Sequence, residues 1–137
     1  MTKLILAFAL AIAAPAAFAD DESDIVSGCA LSNAEWGVEM IQLCVTENKT
    51  ARGELQAYPQ EYKGLVERCS RRKEMGWGMV KRCVDEDIAA KPVLEAYARD
   101  HGPLLAQCQE QFRGRELSRI KLCVDHALAG GDTEKNK

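Results

Sequence analysis

Six cysteines recur along this chain at alternating short and long intervals. Cys29, Cys44, Cys69, Cys83, Cys108 and Cys123 are separated by 15, 25, 14, 25 and 15 positions. The first cysteine of each short interval follows one phrase: Ile25-Val26-x-x-Cys29, Leu65-Val66-x-x-Cys69 and Leu104-Leu105-x-x-Cys108. The second is always followed by valine, at Val45, Val84 and Val124. The match continues beyond the cysteines, with Glu47/Glu86, Ala51/Ala90, Leu55/Leu94, Ala57/Ala96 and Tyr58/Tyr97 in register. A period of 39 or 40 residues is that of helix-pair repeats, whose units bury their apolar faces against their neighbours.

Periodicity within each unit is helical. Trp77, Val80, Cys83, Val84 and Ile88 fall on one face of an α-helix, and Leu117, Ile120, Val124 and Leu128 repeat that face. The first unit has Val38, Ile41 and Val45, but Lys49 at the fourth place, so its stripe ends sooner. Strand-like alternation is absent. The predicted fold class is therefore all-α: three tandem disulfide-bridged helical hairpin repeats, with the hand of their stacking left open.

Helix breakers set the expected boundaries. Ser32-Asn33-Ala34-Glu35 has capping-box spacing and predicts a helix starting near residue 33. Tyr58-Pro59 and Gly102-Pro103 should end the long elements, because the residue before proline is biased out of the α region. Gly53 and Pro92, at near-equivalent places, predict a kink or short break inside them.

Geometry restricts how the cysteines pair. On one straight helix Cys69 and Cys83 would lie about 21 Å apart, whereas a disulfide needs Cα atoms about 4.4–6.8 Å apart. Each short-interval pair must therefore bridge two arms across a turn. A glycine stands at or beside each midpoint: Gly37, Gly76 and Gly114. The expected bridges are Cys29–Cys44, Cys69–Cys83 and Cys108–Cys123. The competing scheme joins Cys44 to Cys69 and Cys83 to Cys108, which strands Cys29 and Cys123 at opposite ends. In the first unit, the predicted helix start near residue 33 would shift the turn toward residues 30–33. Three such loops, each contributing about 3 kcal/mol in the chain-entropy model, would make the bridges the main stabiliser of a thin helical core.

Disulfides imply an oxidising compartment, and the first residues agree. Lys3, the apolar run Leu4–Ile12, Pro15 and Ala17-Phe18-Ala19 form the pattern of a bacterial-type export signal cleaved after Ala19. Its apolar run is too short for a spanning helix. The expected organisation is a signal peptide over 1–19, a helical cysteine-repeat domain over 20–129 and a polar tail over 130–137. The product would be periplasmic or secreted, not an integral membrane protein. Without Lys3 the count is 17 basic against 21 acidic groups, which does not suggest nucleic-acid binding.

Catalytic patterns are missing. No two cysteines are closer than fourteen positions, against the Cys-x-x-Cys of thiol oxidoreductases. Asp85-Glu86-Asp87 and Asp125-His126 do not converge on one ion from adjacent helical positions. There is no nucleophile elbow and no phosphate-binding glycine loop. The sequence thus predicts a non-enzymatic protein with no catalytic residue, cofactor or metal.

Charge gives the one functional hint. Residues 20–43 hold six acidic groups and no basic one, whereas residues 60–83 hold seven basic groups against three acidic. Arg71, Arg72 and Lys73, with Trp77 beside them, are the candidate partner-binding residues. They suggest a docking tip for an anionic envelope protein or a lipid head group. The expected function is a protein-interaction or scaffold module; the alternative is a carrier of a small apolar or lipid ligand.

Overall fold

A computed structural model describes residues 22–131, and the expected export signal lies outside them. Among the described residues six α-helices follow in order: α1 (Glu22–Ser32), α2 (Val38–Gln56), α3 (Lys63–Cys69), α4 (Trp77–Asp100), α5 (Gly102–Gln111) and α6 (Leu117–Gly131). Short 3₁₀ turns occupy Ala34–Trp36, Gln60–Tyr62 and Ser70–Met75. No strand occurs among the described residues.

Three disulfides bridge successive helix pairs. Cys29–Cys44 joins α1 to α2, Cys69–Cys83 joins α3 to α4, and Cys108–Cys123 joins α5 to α6, with Cα atoms 5.7, 5.8 and 5.9 Å apart. Between the bridged arms the chain turns on Gly37, Gly76 and Gly114. Among the described residues these are the three with positive φ, at +86°, +99° and +73°. That left-handed backbone is open to glycine because it has no Cβ.

Helix α4 organises the core. Its first half contributes Trp77, Val80 and Val84 to a cluster with Ile25, Leu55 and Val66. Its second half contributes Ala90 and Leu94 to a cluster with Leu105, Ile120 and Val124. One helix thus lies in both apolar clusters, and it packs on α2 and α6. Both α2 and α4 need an acceptor for their first N–H groups, because their N-terminal glycines offer no side chain for a cap. For α4 it comes from the preceding pair: Asn48 Oδ1 accepts the Trp77 N–H at 2.5 Å. Asp87, also four residues past the second cysteine of its pair, accepts the Ser118 N–H at 2.9 Å. These bonds satisfy amides that a helix start otherwise leaves open.

The local expectations need three corrections. No α-helix starts near residue 33, where only the 3₁₀ turn Ala34–Trp36 begins: Ser32 ends α1, and its hydroxyl donates back to the Gly28 carbonyl at 2.8 Å. Asn33 likewise donates to the Cys29 carbonyl, so these polar residues satisfy a helix C-terminus, and the turn centres nearer Gly37. No break occurs at Gly53 or Pro92, since α2 and α4 run through both positions. Helix α6 extends to Gly131, into the segment expected as tail, whose remainder, 132–137, lies outside the described residues.

Candidate functional site

Two surface clefts lie beside successive turns. The first, of about 520 Å³, is bounded by α1, the Cys29–Cys44 bridge, and the turn holding Met75 and Gly76. The second, of about 460 Å³, lies between the α3–α4 turn and the α5–α6 turn. Counted from the cysteines, matched positions line both, yet their residues differ. Gly28 in the first corresponds to Arg68 in the second, Ser32 to Arg72, and Gly76 to Glu116. The difference in chemistry lies in these side chains and not in the shared spacing.

Five guanidinium groups line the second cleft: Arg68, Arg71, Arg72, Arg115 and Arg119. Two carboxylates oppose them. Glu116 accepts from Arg72 at 2.8 Å (Nη2) and 3.1 Å (Nε), and lies 4.0 Å from Arg115. Burial works against its ionised form, but its own backbone N–H and the Arg72 guanidinium hold its carboxyl below the ordinary range. Asp87, fully buried, lies 3.8 Å from Arg68. Nη1 of Arg68 and Oδ2 of Asp87 are both buried without a hydrogen-bond partner. Arg71 donates to the Gly114 carbonyl at 3.2 Å, a contact that cancels no charge. Arg119 is exposed and has no ion-pair partner among the described residues. Met75 and Met79 form an apolar shoulder beside this basic surface.

The residues singled out from sequence are thereby divided. Arg71 and Arg72 belong to the arginine cleft, where they also tie α3–α4 to the α5–α6 turn. Lys73 lines the other cleft. Trp77 is not available as an exposed docking residue. It is 3% exposed and closes the turn over the first apolar cluster. Arg115 and Arg119 escaped the sequence reading because they lie more than forty residues from the Arg71–Lys73 run. The signal that would have found them is their clustering, with Arg113, around the third midpoint glycine.

No known protein family, characterised protein or solved structure matches this chain. The remaining surface adds a second feature. Leu31, Trp36 and Val38 are 84%, 67% and 68% exposed, and Met40 and Leu43 are also exposed, all within the first bridged pair. That stretch also carries Glu35 and Glu39 and no basic residue. Among the described residues no helix is long and apolar enough to cross a membrane, and no group of three or more His, Cys, Asp or Glu is placed to hold a metal. Three disulfides, with no free cysteine among the described residues, are consistent with an exported or extracellular protein.

Proposed function

We propose that this chain is an exported, non-enzymatic interaction module built from three tandem copies of one disulfide-bridged helix pair. The matched cysteine phrases, the three turn glycines and the paired caps of Asn48 and Asp87 support the repeat reading. The module engages an anionic partner of the cell envelope through the cleft between its second and third pairs. The observation that carries this reading is the surplus there of five guanidinium groups over two carboxylates. Such a cleft focuses positive potential and favours association with negative groups. Arginine adds directional, two-pronged hydrogen bonding to oxyanions.

Capture from periplasmic extract by the oxidised protein tests the proposal, with bound proteins and lipids identified by mass spectrometry. One anionic species should be retained, released by salt, and lost on Arg71→Glu with Arg119→Glu. Retention unchanged by that double reversal would refute docking through this cleft.

The first cleft favours a second reading, a carrier of a small apolar ligand. Ile25, the Cys29–Cys44 bridge, Met75 and Trp77 wall it, and pockets of this size commonly hold small molecules. Lipid co-purifying with the protein and displaced by Gly28→Leu would support the carrier. Neutral lipid binding insensitive to that substitution would exclude it.

A further inference from the structure

The arginine cleft has a charge imbalance that specifies its ligand more narrowly. Glu116 and Asp87 offset two of the five guanidinium charges, through Arg72 and Arg68. Arg71, Arg115 and Arg119 remain, and among the described residues their one ion-pair contact is the already engaged Glu116, at 4.0 Å from Arg115. A monoanionic carboxylate or sulfate ester leaves most of this surplus in place. A phosphate monoester, carrying about −1.5 to −2 charge at neutral pH and three acceptor oxygens, matches it better. Guanidinium forks suit those oxygens geometrically.

The cleft is also not purely polar. Met75 and Met79 line it and are exposed, with Met75 on the turn itself. Inorganic phosphate has nothing to place against them, whereas the apolar body of an organic phosphate does. The adjoining first cleft shares Met75, so the apolar surface continues past the turn.

We infer that the cleft between the α3–α4 and α5–α6 turns binds a phosphate monoester carried on an apolar body. Arg71, Arg115 and Arg119 hold the phosphate oxygens, and Met75 and Met79 contact the apolar part. This rests on the docking reading above and names the chemistry of its ligand. No bond is made or broken: the ligand is bound and released intact.

Titration of the oxidised full chain with soluble probes tests it, followed by calorimetry and backbone amide NMR. The probes are hexyl phosphate, inorganic phosphate, hexyl sulfate and hexanoate. Hexyl phosphate should bind at least about tenfold more tightly than the other three, the equivalent of one charge-assisted hydrogen bond. Its shifts should centre on Arg71, Gly114 and Arg119. Affinity should rise between about pH 5 and 7.5, as the second phosphate ionisation near pH 6 completes. Arg119→Gln, at an exposed side chain outside the core, should weaken binding by about tenfold and leave the unfolding midpoint unchanged.

Equal affinity for hexyl phosphate and hexyl sulfate would overturn the inference, as would Arg119→Gln and Arg71→Gln both without effect. Vesicles of phosphatidylcholine with and without phosphatidic acid then separate the sources. Binding that requires phosphatidic acid assigns the phosphate to a lipid head group; binding of hexyl phosphate alone assigns it to a soluble organic phosphate. If no phosphate probe binds but the envelope partner is still captured through Arg71 and Arg119, the docking reading stands and the phosphate assignment falls.

Discussion

Tyr58, just beyond the end of α2, donates its hydroxyl hydrogen bond to the carboxylate of Asp85 on α4. Asp85 also accepts from Lys81, one turn earlier on the same helix, at 2.8 Å. The arrangement recurs one bridged pair later, where Tyr97 on α4 donates to Asp125 on α6 and Lys121 donates to the same carboxylate at 2.6 Å. Each tyrosine therefore links its pair to the next. In the first pair the matched positions are Gln42 and Thr46, and the exposed Thr46 hydroxyl donates to the Gln42 carbonyl of its own helix.

These links should be measurable singly and together. Tyr58→Phe and Tyr97→Phe should each lower stability by about 1 kcal/mol, the worth of an ordinary hydrogen bond at a partly exposed site. Urea unfolding checks the size, and a double-mutant cycle between Tyr97 and Asp125 should show coupling. Additive losses in that cycle would mean that the hydroxyl and the carboxylate act independently.

The same contacts give stability a two-sided pH dependence. Burial opposes ionisation of Asp85, but the hydrogen bonds from Lys81 and Tyr58 bring its carboxyl below the ordinary value. Lys121, then Tyr97, lowers that of Asp125. A lowered native value contributes stability that is fully present above the unfolded value near pH 4, and it is lost as pH falls through the native one. Tyr58 is raised by burial and by Asp85, and Tyr97 chiefly by Asp125. Their contribution is complete below about pH 10 and is lost as pH climbs through the raised values. The urea midpoint should be flat from about pH 5 to 9 and fall on both sides. Tyr58→Phe with Tyr97→Phe should shrink the alkaline fall.

Gly76 and Gly37 separate backbone strain from side-chain collision. Both start a long helix with positive φ, at +99° and +86°. A Cβ at Gly76 would come within 2.8 Å of Asn48 Oδ1, the atom that caps Trp77, whereas one at Gly37 meets open space. Gly37→Ala should cost about 1–3 kcal/mol from strain alone, and Gly76→Ala more, by displacing Asn48. Thermal unfolding of the two variants gives the order directly; equal losses would show that Asn48 yields freely.

Asp87 is the most demanding polar group of the core. Its side chain is fully buried, caps Ser118 through one oxygen and faces Arg68 with the other. Asp87→Ala should cost about 3–5 kcal/mol, because it leaves the Arg68 guanidinium without its counter-charge. Asp87→Asn combined with Arg68→Gly reproduces the Asn48 and Gly28 of the first groove and should recover much of that loss. Circular dichroism melts of the single and combined variants distinguish these outcomes.

Much of the framework was legible because a few residue types tolerate what it requires. Positive φ at a tight turn selects glycine, so the midpoint glycines marked all three turns. A disulfide's short reach selected pairing across those turns over pairing along a helix. The apolar stripes of the second and third units named Val80, Val84, Ile120 and Val124, all buried. Ser32 misled because a hydroxyl near a helix end serves either terminus, and only the fold shows it bonded backwards to Gly28.

Contacts between pairs were hidden for a different reason. Tyr58 and Tyr97 were visible as matched residues, and so were Asp85 and Asp125, but nothing local says that a tyrosine reaches the next pair. The arginine cleft was half visible for the same cause. Its first three members cluster in sequence, whereas Arg115 and Arg119 join them by the packing of α6 against α4.

Each bridge joins a cysteine to the very next one along the chain that is still unpaired, with no bridge spanning or crossing another. Synthesis delivers a polypeptide from its N-terminus, so Cys29 meets Cys44 before Cys69 exists. An oxidant that couples thiols in order of emergence therefore makes the native bonds at first attempt. Such a chain has little need of a disulfide isomerase to unscramble it. A fully reduced chain refolding from denaturant, with all six thiols competing at once, would need one far more.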